Sequence, residues 1–268
     1  MSLKWQSNTG EIIELDLPNY ILRFFDGFSD TPIRLMTQKS PYQHGTTLID
    51  TILEPRNMVI NLLIVAKTEQ ERLEKRRELV KIFSPRLGLG KIIWEQPETE
   101  KEYVIHAISE EAPVMPSGES GVLHQQVLIN LLAPDPTWYN PDIIEFQMDA
   151  SVNKRINLYN EGEVETPVEI IINGPCENPR IININKNEAI YINGLVLLEN
   201  ERIEINTKYG KKHVRHYDAE NNRTNLFGKV DVGSSLFYLQ PGNNNVDFRA
   251  LSGEPLIDFR FHYRYAGV

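Results

Sequence analysis

Residues 257–265 read Ile257-Asp258-Phe259-Arg260-Phe261-His262-Tyr263-Arg264-Tyr265. Apolar or aromatic side chains alternate here with charged or imidazole side chains, and this period of two predicts a strand with one buried face and one face in water. Upstream, short apolar runs recur at regular spacing and are separated by turns rich in Gly, Asn and Pro, without a convincing helical pattern. About eight or nine such strands predict a β-sandwich or jelly roll over residues 141–268.

The first half of the chain contains one well-defined helical pattern. Thr68 is a favourable N-cap, and Glu71 stands three residues later, which together form a capping box. Leu73, Val80 and Phe83 lie at helical spacing. Ser84-Pro85 ends the pattern, because a residue before proline avoids helical geometry. We therefore predict a helix over about residues 68–83.

Apolar runs on both sides of this helix predict strands. They lie at Asn19–Phe25, Arg56–Ala66, Ile92–Trp94, Tyr103–Ile108 and Val122–Leu132. The segment before Arg56 is interpreted as a polar stretch that leads to His44-Gly45-Thr46-Thr47. A single helix among strands packs on one sheet. The first half is thus predicted to be a β-rich domain with one helix.

A proline-rich connector separates the two halves. It reads Ala133-Pro134-Asp135-Pro136-Thr137-Trp138-Tyr139-Asn140-Pro141, and three prolines so close together fit neither a helix nor a central strand. We place the domain boundary here, with one domain over residues 1–140 and a second over residues 141–268. The mainly β fold class follows from both halves.

Composition narrows the class of protein. The net charge is −9 and the pI about 5.3, which disfavours a general nucleic-acid binder because such a protein needs a basic face. The chain has a single cysteine, Cys176, so it cannot form an internal disulfide. No apolar run approaches membrane-spanning length, and no signal peptide is recognisable, so we expect folding in a cytoplasm and no membrane association.

Motifs that would indicate catalysis or metal binding fail on inspection. A nucleophile elbow around Ser120 would need Gly at position 122, which is Val. His213 and His216 lie in a predicted strand, where positions three apart face opposite ways, so a shared metal is not expected. Cys176 sits in a turn-forming string without a group that would lower its thiol pKa. We expect no enzymatic activity, no cofactor and no metal.

The order of short motifs along the chain resembles the distal tail protein family of siphovirus-type bacteriophages. The resemblance is carried by Asn19–Phe28, Gln38–Gly45, Glu54–Met58, Arg76–Val80, the Ala133–Tyr139 connector, Gly174–Pro179, Ile205–Gly210 and Leu239–Asn244. In this chain Asn206 stands where the family more often has Asp. Each motif is mostly turn chemistry, and together they span most of the chain.

The resemblance implies an N-terminal belt domain, a tail-tube-like sandwich with one helix, and a C-terminal galectin-like β-sandwich. It implies a structural virion protein that forms a homohexameric ring at the tail end, links tail tube to baseplate and surrounds a DNA channel. Implied partners are the tail-tube protein, the tape-measure protein and tail-associated or receptor-binding proteins, while DNA passes without specific binding. By position, the candidate inter-subunit or partner interface comprises Gly45, Arg56, Arg76, Arg77, Trp138 and Tyr139.

Two other function classes compete with the structural interpretation. A galectin-like half could be a carbohydrate-binding module for host-surface adhesion. Sugar sites of that type use a stacking Trp, and the chain has no Trp after Trp138. A hydrolase would need two carboxylates across a cleft, and the acidic residues here cluster only locally in sequence.

Overall fold

The computed structural model describes residues 2–29, 31–119, 121–149 and 154–268. The predicted fold class is confirmed: the chain is mainly β, with one α-helix in the described residues. It forms two compact units, Met1–Pro141 together with Tyr265–Val268, and Asp142–Arg264. The expected second domain ran to residue 268. The last four residues instead belong to the first unit, where the Val268 N–H donates to the Phe28 carbonyl at 2.9 Å.

The described part of the first unit contains ten strands and one α-helix between Ser2 and Tyr139. These are β1 (Ser2–Gln6), β2 (Ile12–Glu14), β3 (Tyr20–Asp26), β4 (Ile33–Gln38), β5 (Thr47–Leu53), β6 (Arg56–Val65), α1 (Glu69–Ile82), β7 (Gly90–Glu95), β8 (Glu102–Ser109), β9 (His124–Ala133) and β10 (Trp138–Tyr139). The main sheet runs in the order β2-β1-β7-β8-β9-β6-β3, and β10 pairs with β8. Among the described strands, β4 and β5 pair only with each other.

The core of the first unit lies between this sheet and α1. Trp5 stacks on Phe83 with ring centroids 4.9 Å apart, and its indole N–H donates to the Ile82 carbonyl at 3.2 Å. The helix begins at the predicted cap, since the Thr68 hydroxyl accepts from the Glu71 N–H at 3.1 Å. The buried face carries Leu79, Ile82 and Phe83, whereas Val80 is 41% exposed. Val80 is therefore not part of the face that the helical spacing indicated.

The second unit is built from many short strands. They are β11 (Ile144–Asp149), β12 (Lys154–Asn160), β13 (Thr166–Pro167), β14 (Glu169–Asn173), β15 (Cys176–Glu177), β16 (Arg180–Asn183), β17 (Glu188–Tyr191), β18 (Val196–Leu197), β19 (Arg202–Asn206), β20 (His213–Tyr217), β21 (Arg223–Asn225), β22 (Tyr238–Leu239), β23 (Gly242–Arg249), β24 (Ser252–Gly253) and β25 (Leu256–Phe261). The final strand β26 (Arg264–Tyr265) lies where the chain returns to the first unit.

Two larger sheets form the galectin-like sandwich of the second unit. One runs β11-β25-β14-β19-β20-β21 and the other β12-β23-β16-β17. Apolar residues of both sheets form one buried cluster that includes Leu158, Ile170, Ile181, Phe248 and Phe259. The alternation at Ile257, Phe259 and Phe261 has the predicted result, because these three side chains are buried and the residues between them are partly exposed. The unit holds more strands than the expected eight or nine, since two-residue strands such as β13 have no periodicity.

Candidate assembly interface

The strands β4 and β5 form a hairpin, which we call the arm (residues 33–53). Every residue of both strands is exposed. Its large apolar side chains include Ile33, Leu35 and Leu48, which are 58%, 61% and 57% exposed. An isolated two-stranded hairpin is marginal in water, and apolar surface of this kind marks an interaction site. The sequence interpretation missed the arm by treating this segment as a polar stretch.

The strand register gives the arm two different faces. Cross-strand partners share a face, so Ile33 with Leu53, Leu35 with Thr51, and Thr37 with Leu48 define a mainly apolar face. On the other face Arg34 lies opposite Ile52, Met36 opposite Asp50, and Gln38 opposite Thr47. A register shift between Met36 and Thr37 bends the ladder. Most of the large apolar side chains of the arm thus lie on the first face, and Met36 and Ile52 lie on the second.

Gly45 lies in the turn of the arm and is exposed. Its φ is +77°, in the region that favours glycine, and a Cβ added there would meet no atom within 4 Å. Tyr42, in the same turn, is fully exposed with a φ of +64°. Of the six candidate residues, Gly45 is the one that the structure places on the arm. The surface of the turn at Gly45 is therefore exposed to solvent.

Arg56 holds the base of the arm. This residue begins β6, three residues after Leu53, where the arm ends, and is only 1% exposed. Its guanidinium donates to the carbonyls of Gly27 at 2.8 Å and Ser29 at 3.2 Å, and also to Thr31 Oγ1 and the Ala266 carbonyl. Arg56 therefore lies inside the first unit and offers no surface to a partner. Its contacts instead fix the segment that leads into the arm.

Trp138 supports the same segment from the connector. It is fully buried, and its indole N–H donates to the Gly27 carbonyl at 3.0 Å. Its ring lies 6.3 Å from Phe25 and 6.2 Å from Phe28, centroid to centroid. A Cβ on Gly27 would lie 2.8 Å from Met58 Cγ, so only glycine fits this crossing. Trp138, like Arg56, is a buried support of the arm.

The other three candidate residues lie elsewhere on the first unit. Arg76 and Arg77 are exposed on α1, and neither forms an ion pair among the described residues. Tyr139 is partly buried, its hydroxyl lies 2.8 Å from His106 Nε2, and its ring stacks on His106. Burial, and secondarily the charge of Asp135, raises the pKa of Tyr139 to about 12. The structure therefore does not bring the six residues together into one patch.

An open sheet edge is a further feature of the first unit. Strand β3 is the last strand in the sheet order and pairs with β6 alone among the described strands. Ile21 and Phe24 on this strand are 40% and 49% exposed. An edge strand with free backbone donors and acceptors can pair with another chain. The arm and this edge therefore both have unfinished strand pairing, as does the short strand β2 at the opposite edge of the sheet.

The side chains that could take part in catalysis or metal binding include the buried Cys176 and the two histidines of β20. Burial raises the pKa of the Cys176 thiol to about 11, so the thiol is protonated at neutral pH. His213 and His216 lie on β20, and His216 Nε2 is 3.3 Å from Glu201 Oε2. No group of three His, Cys, Asp or Glu residues in the described ranges could hold a metal ion. Ser120 lies outside the described residues.

Comparison with known protein families decides the identity. Residues 9–133 match the phage tail protein RIFT-related domain, and residues 161–265 match the C-terminal domain of the siphovirus-type tail component. The chain belongs to the siphovirus-type distal tail protein family. The resemblance inferred from the sequence is thereby confirmed. The protein is a structural component of a phage tail and hence of the virion.

Solved structures share the fold over the whole chain. The Dit protein of phage SPP1, described as a paradigm of the hub adsorption apparatus in phages that infect Gram-positive bacteria, has a TM-score of 0.71 at 12% identity and covers 98% of both chains. Chains of the phage P2 baseplate in its activated conformation, with calcium or strontium, have TM-scores of 0.56 and 0.55 at 8% identity. Each match covers 100% of this chain and 99% of the other. No curated protein matches this distal tail protein by sequence.

No helix among the described residues is long and apolar enough to cross a membrane.

Proposed function

We propose that six copies of this distal tail protein close into a ring at the end of the tail, where the ring links the tail tube to the baseplate. DNA passes through the ring without specific binding. The neighbours are the tail-tube protein, the tape-measure protein and tail-associated or receptor-binding proteins. The role is structural and not enzymatic, and assembly takes place in the cytoplasm of the bacterial host.

The exposed apolar face of the arm carries this proposal. A single chain leaves Ile33, Leu35 and Leu48 more than half exposed, and covering them removes apolar area from water at about 25 cal/mol per Å². A second copy supplies the cover when the arm reaches a different surface on its neighbour. Such a head-to-tail contact is heterologous and generates a closed ring when its rotation closes.

The open edge of β3 supports the same arrangement. A strand of a neighbouring arm that paired with β3 would satisfy the free backbone groups on both strands. Exposed Ile21 and Phe24 would then meet apolar residues of the arm. The anchored base, held by Arg56 and Trp138, keeps the arm in one orientation in every copy. A repeated contact of fixed geometry is what ring closure requires.

The native mass measured by light scattering over a range of protein concentrations tests this proposal. We expect a species near 185 kDa, about six times the chain mass of 30.9 kDa, and six-fold rings in electron micrographs. The matched variants are Leu35→Asp, in the arm, and Leu198→Asp, at a similarly exposed apolar site in the second unit. The arm variant should remain a monomer and the control should still form rings. Rings from Leu35→Asp, or a wild-type monomer at all concentrations, would contradict the proposal.

A further inference from the structure

The outer face of the sheet β12-β23-β16-β17 carries an excess of positive charge, although the whole chain is acidic. Arg155, Arg180 and Arg249 all point outward from it and are exposed. A single carboxylate, Asp247, lies among them on this face, with its side chain 11% exposed. Asp247 accepts from Arg155 Nε at 2.6 Å and from Arg249 at 3.3 Å. Three guanidinium groups therefore share one negative charge.

Arg180 and Arg249 lie directly opposite each other on neighbouring antiparallel strands. Like charges in this position destabilise a sheet. The Arg180 guanidinium lies 5.7 Å from the Tyr191 ring centroid and forms no ion pair with the described residues. Most of its donors thus face water. The pair costs stability in the free protein, and an oxyanion placed between the two guanidiniums would relieve the repulsion and accept their N–H groups.

The same face also carries Ile182 and Ala189 and, towards the β12 edge of the sheet, amides and a tyrosine. Asn157 donates to Asn243 at 2.8 Å, and Asn245 lies opposite Asn157 in the register. Next to them Tyr159 is 50% exposed. Amide groups both donate and accept hydrogen bonds, which suits hydroxyl groups, and an exposed tyrosine ring offers an apolar surface to a sugar. The row of Arg180 and Arg249 is separated from the row of Asn157 and Asn245 by one intervening row, which holds Arg155 and Asp247.

We propose that this face binds an anionic saccharide polymer, with Arg180 and Arg249 holding its phosphate or carboxylate groups and the amides of Asn157 and Asn243 contacting its hydroxyls. This inference goes beyond the ring and does not depend on it, because the face belongs to the second unit alone. The absence of a Trp after Trp138 does not weigh against it, since charge and hydrogen bonds carry the recognition here.

Binding of defined polymers to the full chain tests the inference. Dextran phosphate and polygalacturonate distinguish phosphate from carboxylate recognition, dextran is the neutral control, and polyglutamate represents an acidic peptide. We expect at least one anionic saccharide to bind more tightly than dextran and polyglutamate, with an affinity that falls as salt rises. Arg180→Gln/Arg249→Gln should weaken it by about tenfold or more, because two charge-assisted contacts are lost.

A matched variant separates recognition from general charge. Lys211→Gln/Arg223→Gln removes the same charge from exposed positions elsewhere in the second unit and should change the affinity less than about twofold. The melting temperature of the Arg180/Arg249 variant should stay close to that of the wild type, since removal of a like-charge pair offsets the lost contact between Arg249 and Asp247. Equal losses in both variants, tighter binding of polyglutamate, or no saccharide binding by the wild type would each overturn the inference.

Discussion

The strands β5 and β6 follow each other directly in the chain and have opposite surroundings. Both are rich in apolar residues, yet all seven residues of β5 (Thr47–Leu53) are exposed, whereas Met58, Ile60, Leu62 and Ile64 of β6 are at most 1% exposed. Strand β6 lies between β3 and β9 in the sheet, and β5 has only β4 as a neighbour. The two strands differ in the partners that the single chain provides, not in apolar character.

The apolar residues of the first unit therefore serve two purposes. Those of β6 stabilise the fold of one chain, and those of the arm remain for contact between chains. Substitutions in the two strands should therefore separate folding from assembly.

The largest loss of stability should come from the buried strand. Ile60→Ala removes buried methyl groups at a site that is 0% exposed and should lower the free energy of unfolding by about 2–5 kcal/mol. Urea denaturation of the monomeric arm variant, with and without this change, measures the loss free of assembly. A cost below about 1 kcal/mol would mean that β6 does not carry the core as described.

A loss of about 3 kcal/mol should follow from Arg56→Leu, because buried carbonyls of Gly27 and Ser29 lose their charged donor. The base of the arm should loosen, so this variant should also fail to assemble under conditions where its core remains folded. Combined denaturation and light scattering check both effects. Arg77→Leu, at an exposed position on α1, is the control and should cost little. Normal assembly of Arg56→Leu would show that the arm does not need its anchor.

Alkaline pH should lower the stability of the folded chain, because the Tyr139 hydroxyl then loses its proton. Its folded pKa is raised from 10.0 to about 12, so its contribution to stability is fully present below pH 10 and is lost as pH rises towards 12. Burial also raises the pKa of Tyr20, which acts with the same sign. Tyr139→Phe should therefore show a smaller fall of melting temperature between pH 10 and 12 than the wild type. Identical pH profiles would exclude this role for Tyr139.

The smallest effect on stability, and the largest on assembly, should come from the arm. Leu35→Thr introduces a β-branched residue of high strand propensity at a 61% exposed site and should change the unfolding free energy of the monomer by less than about 0.5 kcal/mol. Association should weaken by about tenfold or more in the concentration dependence of the mass. Unchanged association with unchanged stability would leave the apolar face of the arm without a function in assembly.

Periodicity predicted much of the fold because many elements follow local rules. The helix cap at Thr68 and the alternation at Ile257–Phe261 depend on neighbouring residues alone, so the sequence suffices for them. The arm was missed because its turn, from Lys39 to Thr46, is polar and its strands have apolar residues on both faces. A strand exposed on all sides does not show the clean alternation that burial imposes.

The candidate interface was harder to predict than the fold. Arg56 and Trp138 were selected by position in the family resemblance, and nothing in their local sequence reveals that Gly27, far away in the chain, binds both. Arginine is mostly exposed in folded proteins. Its burial depends on carbonyls from the segment before the arm and from Ala266, which only the folded chain brings together.

Hydrogen exchange of the backbone amides tests the central claim most directly, which is that assembly covers the arm. Exchange is compared between the wild type at ring-forming concentration and the monomeric Leu35→Asp variant. We expect the amides of residues 33–38 and 47–53 to become strongly protected in the assembled protein, while those of β6 exchange slowly in both. Equally fast exchange of the arm in the monomer and in the assembly would contradict the account.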